Sequence, residues 1–360
     1  MAVYTQIDNP ELYFQTVLWT GDDSTDNAIT FDGSENMRPD MIWLKPRTKV
    51  DNHRVMDSVR GVTKMVPTNG SGAEETISAG LASFDSNGFT LNTTDSGYNS
   101  SSYTYVAWCW KAGTSFSNDA SATSIGSLDS TASVNSTSGI SILSYTGNAS
   151  SGASVAHGMG SGNVPKFIAI KNRTQSAEGW QCYHVSLGAT KRIMLDETGA
   201  VSTHSTFWND TTPTSSVITL GSNHGTNGSS HEMIAYCFTD VQGFSSIKKY
   251  AGNSSNNGAY VHLGFSPAFL LFKEFTSGTN DSWYIIDNKR NTYNPRNKNL
   301  RPNNTDAEQE ASWLNIDFLA NGYKINDDDA AINESGREYV VIAFASAPFV
   351  NSKGVPNNAR

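Results

Sequence analysis

The sequence predicts an all-β protein made of three tandem antiparallel β-sandwich repeats of jelly-roll or lectin-like type. Three observations predict this class. The chain of 360 residues is only 16% charged and has 30 glycines, and it is rich in Ser, Thr and Asn, which favour caps and turns over helix interiors. Its apolar runs are short and rich in Val, Ile and aromatic residues, as strands are. One ordered set of landmarks occurs three times, which indicates internal repetition.

The repeated landmarks are of three kinds. The first is an aromatic residue followed by a small residue, Gly and Asn or Asp, at 19–22, 145–148 and 250–253. The second is a proline followed six residues later by a lysine across an apolar run, at Pro39–Lys45, Pro165–Lys171 and Pro267–Lys273. The third is an apolar C-terminal strand, at 105–110, 233–238 and 339–344. Similar spacings between the landmarks predict three copies of one unit.

These landmarks place repeat boundaries along the chain. The first repeat is predicted at 1–113, the second at 139–242 and the third at 243–350, followed by a polar C-terminal tail at 351–360. Residues 114–138 are mostly Ser, Thr, Asn and Ala, a composition typical of a flexible linker. The one helix that the sequence favours is short, around 306–312.

Two strand patterns predict details of each unit. Asn87-Gly88 and Asn321-Gly322 are each flanked by alternating apolar residues, which predicts a hairpin with Asn-Gly at the centre of its turn. The strand at 105–110 is apolar on both faces, with Val106, Trp108 and Trp110 on one side. A strand of that kind is a central one, covered on each face.

Charge and cysteine usage limit the partners. The net charge of −9 argues against a nucleic-acid groove, which needs clustered Lys and Arg. No apolar run is long enough for a membrane helix, and the first ten residues lack a signal-peptide pattern. Cys109, Cys182 and Cys237 lie far apart without zinc spacing. We therefore expect no membrane insertion, no nucleic-acid partner, no cofactor and no metal.

Six residues are candidates for binding. They are the tryptophans of two matched W-x-x-x-[HD] segments and two Asp–Arg pairs spaced by three: Trp180, Trp283, Asp57, Arg60, Asp287 and Arg290. An exposed Trp stacks on sugar rings, and an Asp–Arg pair could hold a carboxylate or a sugar. The alternative, which the sequence favours, is a buried Trp and an internal salt link that fixes a turn.

No catalytic set is predicted. No Ser/His/Asp combination recurs in the repeats, and 157–162 is not a G-x-S-x-G turn. The acidic clusters at 327–329 and at Asp22, Asp23 and Asp26 could hold calcium, but solvated turn residues are the favoured interpretation. A glycosidase carboxylate pair stays open, because the separation of such carboxylates is spatial.

Several long segments resemble a known repeat family. They are DSVRGVTK at 57–64, FIAIKNRT at 167–174 with the W-x-x-x-H after it, FWNDTTPTSSVITLG at 207–221, and IAYCFTDVQGFSSIKKYAGN at 234–253. They are similar to a family found in structural proteins of marine and aquatic tailed bacteriophages. The resemblance extends over all three predicted units.

The resemblance implies a non-enzymatic virion surface protein, a tail-fibre or receptor-binding component for host adhesion. It would contact other virion proteins and host cell-surface glycans, and would act as a homo-oligomer in the virion. Rigid sheets with many loops suit adhesion. Two alternatives remain: a capsid decoration protein of the head surface, and a polysaccharide depolymerase.

Overall fold

Antiparallel sheets carry nearly all of the regular structure. The computed structural model describes residues 5–277 and 281–357, and the predicted all-β class is confirmed. Residues 1–4 of the predicted first repeat and 358–360 of the predicted tail lie outside the described residues. Across the two described ranges, no helix has the length and apolar character needed to cross a membrane.

The first large sheet is formed by the segment predicted as the first repeat. In spatial order its strands are Phe14–Thr20, Thr104–Trp110, Met41–Pro46, Arg54–Asp57, Lys64–Pro67 and Glu75–Thr76. A small sheet accompanies it, with strands Asn27–Ile29, Gly88–Leu91 and Leu81–Asp85. The strand at 104–110 lies between two neighbours, so its predicted central position is confirmed.

The second and third large sheets repeat this order: N-terminal strand, C-terminal strand, Pro-to-Lys strand, next strand. The second contains Thr114–Asn118, Ser130–Asn135, Ile140–Thr146, Glu232–Phe238, Phe167–Asn172, Gln181–His184, Lys191–Met194 and Ser202–Thr203, with a small sheet of Ala153–Ala156 and Val217–Leu220. The third contains Ser245–Ala251, Glu338–Pro348, Phe265–Glu274 and Tyr284–Asp287, with small sheets of Tyr260–His262, Gly322–Ile325 and Ile316–Leu319, and of Lys298–Asn299 and Gln309–Glu310.

The predicted helix around 306–312 is wrong. Gln309–Glu310 is a strand that pairs with Lys298–Asn299. The chain is held extended because the Glu308 amide donates to the Arg47 carbonyl and the Glu308 carboxylate binds the Arg47 guanidinium at 2.8 Å. The helices within the described residues are a 3-10 turn at Pro10–Leu12 and single turns at Ala120–Thr123, Ser205–Trp208 and His224–Asn227.

The predicted flexible linker at 114–138 is also wrong. Thr114–Asn118 pairs with Ser130–Asn135, which pairs in turn with Ile140–Thr146, so the segment widens the second large sheet by two strands. The interpretation from composition overlooked three apolar side chains spaced along these strands. Phe116, Ala132 and Val134 all pack on the core beneath that sheet.

The two Asn-Gly hairpins are present, but their turns are shifted by one residue from the prediction. Asp85 pairs with Gly88 and Leu319 with Gly322, so each Asn is the second loop residue and each Gly begins a strand. Gly88 has φ +109°. A side chain at Gly88 or Gly322 would collide with the carbonyl of Ile29 or Val261, which explains the glycine at both positions.

Each large sheet is apolar on both faces. The outer faces pack against the small sheets in three separate clusters of buried residues. The inner faces of all three meet in one shared central core that includes Trp108, Tyr236 and Ile342, one from each sheet. Trp110, Phe238 and Phe344 also meet in it, with ring centroids 5.5–6.0 Å apart in all three pairs. A small apolar cavity of about 30 Å³ remains at its centre.

Loops and chain connections lie at opposite ends of this body. The registers place the segments after Thr20, Thr146 and Ala251 at the same sheet ends as the matched lysines. We call this the loop end. The connections between sheets lie at the other end, together with the N-terminal segment from residue 5 and the C-terminal residues up to 357. There Ser352 Oγ and its amide hydrogen-bond the Asp8 carboxylate.

Candidate functional site

The first Asp–Arg pair lies between the first and second large sheets. Asp57 caps its own turn by accepting from the amides of Val59 and Arg60 at 3.0 and 2.9 Å. Its other oxygen accepts from Arg60 Nε at 2.5 Å and from Tyr236 Oη of the second sheet at 2.6 Å. Arg60 also donates to Tyr236 Oη at 3.0 Å and to Glu74 at 3.2 Å. Burial lowers the pKa of Arg60, but the charge and hydrogen bond of Asp57 together with Tyr236 and Glu74 outweigh it, and the pKa is raised.

The second pair makes the same arrangement between the third and first sheets. Asp287 accepts from the Arg290 amide at 2.8 Å, from Arg290 Nε at 2.5 Å and from Trp108 Nε1 at 3.0 Å. The Arg290 guanidinium lies over the Trp108 ring at 5.3 Å. Burial raises the pKa of Asp287, but the charge and hydrogen bonds of Arg290 outweigh it and hold the pKa below its usual value.

The interface between the second and third sheets has a neutral histidine in place of the Asp–Arg pair. His184 occupies the position of Asp57 and Asp287, and its Nδ1 accepts from the Ser186 amide at 3.1 Å. Its ring lies beside the backbone of Val341 in the third sheet. Burial lowers the pKa of His184 to about 4, so the imidazole is neutral at pH 7. The three interfaces therefore run in a cycle: first to second, second to third, third to first.

The two tryptophans join the same interfaces. Trp180 Nε1 donates to the Pro67 carbonyl at 2.8 Å, and Trp283 Nε1 donates to the Met194 carbonyl at 2.7 Å. The exposed fraction is 1% for Trp180 and 0% for Trp283, and the Asp–Arg side chains are at 0% exposure. The six sequence candidates thus lie in two kinds of inter-sheet contact, and none of them presents a surface to a ligand.

The three matched lysines also connect neighbouring sheets. Each is fully buried, and each donates to a carbonyl of a neighbouring sheet's loop: Lys45 to Thr305 at 3.3 Å, Lys171 to Gly70 at 3.4 Å, and Lys273 to Thr198 at 2.8 Å. Burial lowers the pKa of all three to about 8. Because their ammonium groups are enclosed by carbonyls, we assign them to holding the three loop sets together.

The loop end is a surface built from three loops that the inter-sheet contacts hold in place. After the N-terminal strand of each large sheet, a glycine brings two backbones together: a Cβ on Gly21, Gly147 or Gly252 would collide with the carbonyl of Ser100, Gly228 or Glu334. The next residue starts a turn in which its side-chain oxygen accepts from the amide two residues later, as Asp22, Asn148 and Asn253 do. The glycine and Asx positions of the first landmark therefore build three anchored loops.

Three asparagines that the sequence analysis missed complete the anchors. Asn99, Asn227 and Asn333 are fully buried. Each accepts from the backbone amide of the Asx residue, at 3.3, 2.8 and 3.0 Å, and donates to loop carbonyls. A signal was available, since each Asn lies six residues before the first residue of its apolar strand motif, at 105, 233 and 339.

The tips of the anchored loops differ in charge. The first exposes Asp22, Asp23 and Asp26. The second exposes Asn148 with two serines, and the third exposes Asn253, Ser254 and two further asparagines. Hydroxyl, amide and carboxylate groups held on a rigid base are suited to hydrogen-bonding a polar ligand, such as a glycan or a protein surface.

The acidic clusters act as turn residues. Asp327 and Asp329 accept from the amides of Asp329 and Ala331 at 3.2 and 2.8 Å, and Asp22 accepts from Ser24 and Asn99. Within residues 5–277 and 281–357, no three His, Cys, Asp or Glu side chains are placed to hold a metal ion. Cys109, Cys182 and Cys237 are buried free thiols whose pKa values are raised by desolvation, so they are poor nucleophiles.

Comparison with known proteins gives one match. Residues 9–348 match a family described as "Domain of unknown function (DUF7483)". No curated protein and no solved structure matches the chain.

Proposed function

The chain belongs to the DUF7483 family, and we propose that it is a non-enzymatic virion surface protein of a tailed bacteriophage, a tail-fibre or receptor-binding component that contacts host glycans. The loop end is the binding surface in this proposal, and the opposite end, with the inter-sheet connections and the Asp8–Ser352 contact, faces the particle. The chain segments similar to phage structural proteins support the virion assignment. The three anchored loops support adhesion.

The architecture that we propose for this role is three tandem β-sandwich repeats around one central core, at 1–113, 139–242 and 243–350. Its support is the recurring strand order of the large sheets and the separate apolar cluster under each of them. The segment 114–138 then belongs to the second sandwich. We also propose that several copies of this chain assemble into a symmetric homo-oligomer. Light scattering of the purified protein would give the mass of the assembly and so test this.

The observation that carries the adhesion proposal is the contrast between loop anchors and loop tips. The anchors recur in all three units, with a buried Asn and a glycine that permits close backbone approach. The exposed tips are acidic in one unit and neutral in the other two. A constant base under differing tips is typical of surfaces that bind through loops, and several weak contacts on one rigid body gain avidity.

Binding of the labelled protein to host cells tests the loop end. A triple variant with Thr25→Arg, Ser150→Arg and Asn256→Arg changes three exposed loop-end positions, and we expect it to lose binding. The matched control, Asn36→Arg, Thr137→Arg and Val355→Arg, adds the same charge at exposed positions of the other end and is expected to keep it. Equal binding by both variants would contradict the assignment of the binding surface.

Quantifying the protein in purified virions separates the remaining readings. A few copies per particle support the tail-fibre reading, whereas copy numbers that match the capsid lattice support head decoration. Absence from virions would overturn the virion assignment. Shortening of host capsule or lipopolysaccharide after incubation with the protein would favour a depolymerase instead.

A further inference from the structure

A polar cleft at the end opposite to the loops contains a buried cation that has no counter-ion among the described residues. The cleft has a volume of about 380 Å³ and lies between the third large sheet, its small sheet and the N-terminal segment. The side chains that matter here are Ser266, Asn288, Lys289, Thr292, Arg296 and Phe318. No sequence pattern pointed to Arg296, which lies outside the three repeated landmarks.

Arg296 is the unusual residue of this cleft. Only 7% of it is exposed, and its backbone is fixed by mutual hydrogen bonds with Ile316, 2.7 Å from the Arg296 amide to the Ile316 carbonyl. The guanidinium lies over the Phe318 ring, 5.2 Å from the centroid. Its Nε and Nη1 are buried and have no hydrogen-bond partner among the described residues.

The nearby carboxylates are committed elsewhere. Asp287 is occupied by Arg290 and Trp108, and Asp317 accepts from the Asn326 amide at 2.7 Å. No carboxylate of the described residues lies within 4.0 Å of the Arg296 nitrogens, whereas Arg290 has two such partners. Burial lowers the pKa of Arg296 even though both aspartates raise it. An unpaired buried guanidinium is costly, and an anion in the cleft would relieve that cost.

The rest of the lining selects among anions. The Asn288 amide and the Thr292 hydroxyl make no side-chain hydrogen bond within the described ranges, so both are available to a ligand. Lys289 sits at the cleft with its ammonium paired to Asp32 at 2.8 Å. Glu11, which also lines the cleft, disfavours a multiply charged anion. A smaller cavity of about 30 Å³ adjoins it, where the Thr16 hydroxyl is buried and has no hydrogen-bond partner in the described part of the chain.

We infer that this cleft binds the carboxylate of an acidic sugar, of the hexuronate class, with Arg296 holding the carboxylate and Asn288 and Thr292 hydrogen-bonding the ring hydroxyls. A hydrogen bond between a guanidinium and a carboxylate is stronger than one between neutral groups. The cleft is large enough for one ring, and Phe318 and Pro267 offer apolar contact to its C–H face. The inference concerns the cleft alone and does not depend on the virion assignment or on the loop end.

Calorimetric titration with glucuronate, glucose and acetate tests it. We expect glucuronate to bind and glucose not to bind at the same concentrations. Arg296→Met should weaken glucuronate binding by roughly 10- to 100-fold, the range for losing a charged hydrogen-bond partner. The matched control is Arg192→Met, since Arg192 also lies over a phenylalanine, Phe207 at 4.7 Å, and also has a buried unpartnered Nε, but it does not line this cleft.

Two further measurements distinguish a loss of binding from a loss of folding. Arg296→Met should melt at the same temperature as the unmodified protein or higher, because it removes an unpaired buried charge. Asn288→Asp places a carboxylate in the cleft and should block glucuronate without unfolding the protein. Glucuronate binding retained by Arg296→Met would overturn the site, as would no glucuronate binding at all. Acetate binding as tight as glucuronate would overturn the sugar assignment.

Discussion

At the scale of single residues, the most consequential groups are charges buried between sheets. Asp57 and Arg60 are both at 0% exposure and satisfy each other, a tyrosine of the next sheet and the local backbone. A buried pair of this kind adds little net stability over apolar residues, but breaking it leaves an uncompensated charge. These residues therefore determine how the sheets are placed relative to one another.

Replacing Asp57 with Ala should destabilise the protein by about 3–5 kcal/mol, because Arg60 then remains buried without its main partner. Urea unfolding measures the change. Lys166→Met is the control, since the Lys166–Asp240 pair is 37% and 32% exposed, and we expect a change of about 0–1 kcal/mol. A loss for Asp57→Ala no larger than that of the control would contradict the assigned role.

The buried lysines predict a pH effect of defined sign. The pKa of Lys171 falls from its usual 10.5 to about 8 in the folded protein, so between these values the unfolded chain holds the proton and the folded one does not. Stability from this residue therefore rises with pH across that window. Between pH 8 and 10, the free energy of unfolding of the unmodified protein should therefore rise relative to that of Lys171→Met, by at most about 1.4 kcal/mol per pH unit.

Urea unfolding of both proteins at pH 7.5 and pH 9.5 checks this. The difference between the two proteins isolates Lys171 from the buried thiols, whose raised pKa values act in the opposite direction above about pH 9. Lys353→Met, at an exposed position, gives the baseline. A stability difference that does not change with pH would contradict the shifted pKa.

At the scale of elements, close backbone approach governs the anchored loops. Gly147→Ala should destabilise the protein by about 1–3 kcal/mol, since its Cβ would lie 2.4 Å from the Gly228 carbonyl oxygen and the backbone there would have to shift. Gly70→Ala is the matched control, because nothing lies within 4 Å of a Cβ there. Thermal unfolding of the two variants compares them, and equal melting temperatures would argue against the anchor.

Elements were predictable where the signal was local. The Pro-to-Lys strands, the C-terminal strands and the hairpins follow from alternation and turn residues over fewer than ten positions. The segment 114–138 was misjudged because its average composition is polar, although Phe116, Ala132 and Val134 are spaced so that they reach the core. Its intrinsic strand propensity is low, and pairing with a neighbouring strand stabilises the extended conformation. The strand at Gln309–Glu310 forms for a similar reason, since Arg47, 261 residues earlier in the chain, holds the adjoining Glu308.

At the scale of the whole molecule, the shared core makes the three sheets mutually dependent. Trp108, Tyr236 and Ile342 would each be exposed if their sheet stood alone. We therefore expect one cooperative transition in differential scanning calorimetry, with the calorimetric enthalpy equal to the van't Hoff enthalpy. Three separable transitions would show instead that the units fold independently.

The arrangement of the sheets was beyond sequence reasoning. Periodicity predicts that a strand is covered on both faces, but it does not identify the covering residues. Asp57 meets Tyr236, and Trp108 meets Asp287, each across 179 residues of sequence. No local pattern specifies contacts at that range. The sequence therefore singled out the Asp–Arg and Trp candidates but did not predict which residues they contact, and it did not single out Arg296.

The protein joins three lobes, each a large sheet with its small sheets and its anchored loop, in a single polypeptide, and this has an evolutionary consequence. In an assembly of three identical chains, every mutation appears three times, so all tips must change together. Here a substitution at Asn256 leaves the corresponding positions of the other two lobes untouched. In the adhesion role that we propose, one tip can thus change its ligand while the other two keep theirs, and selection acts on each lobe separately.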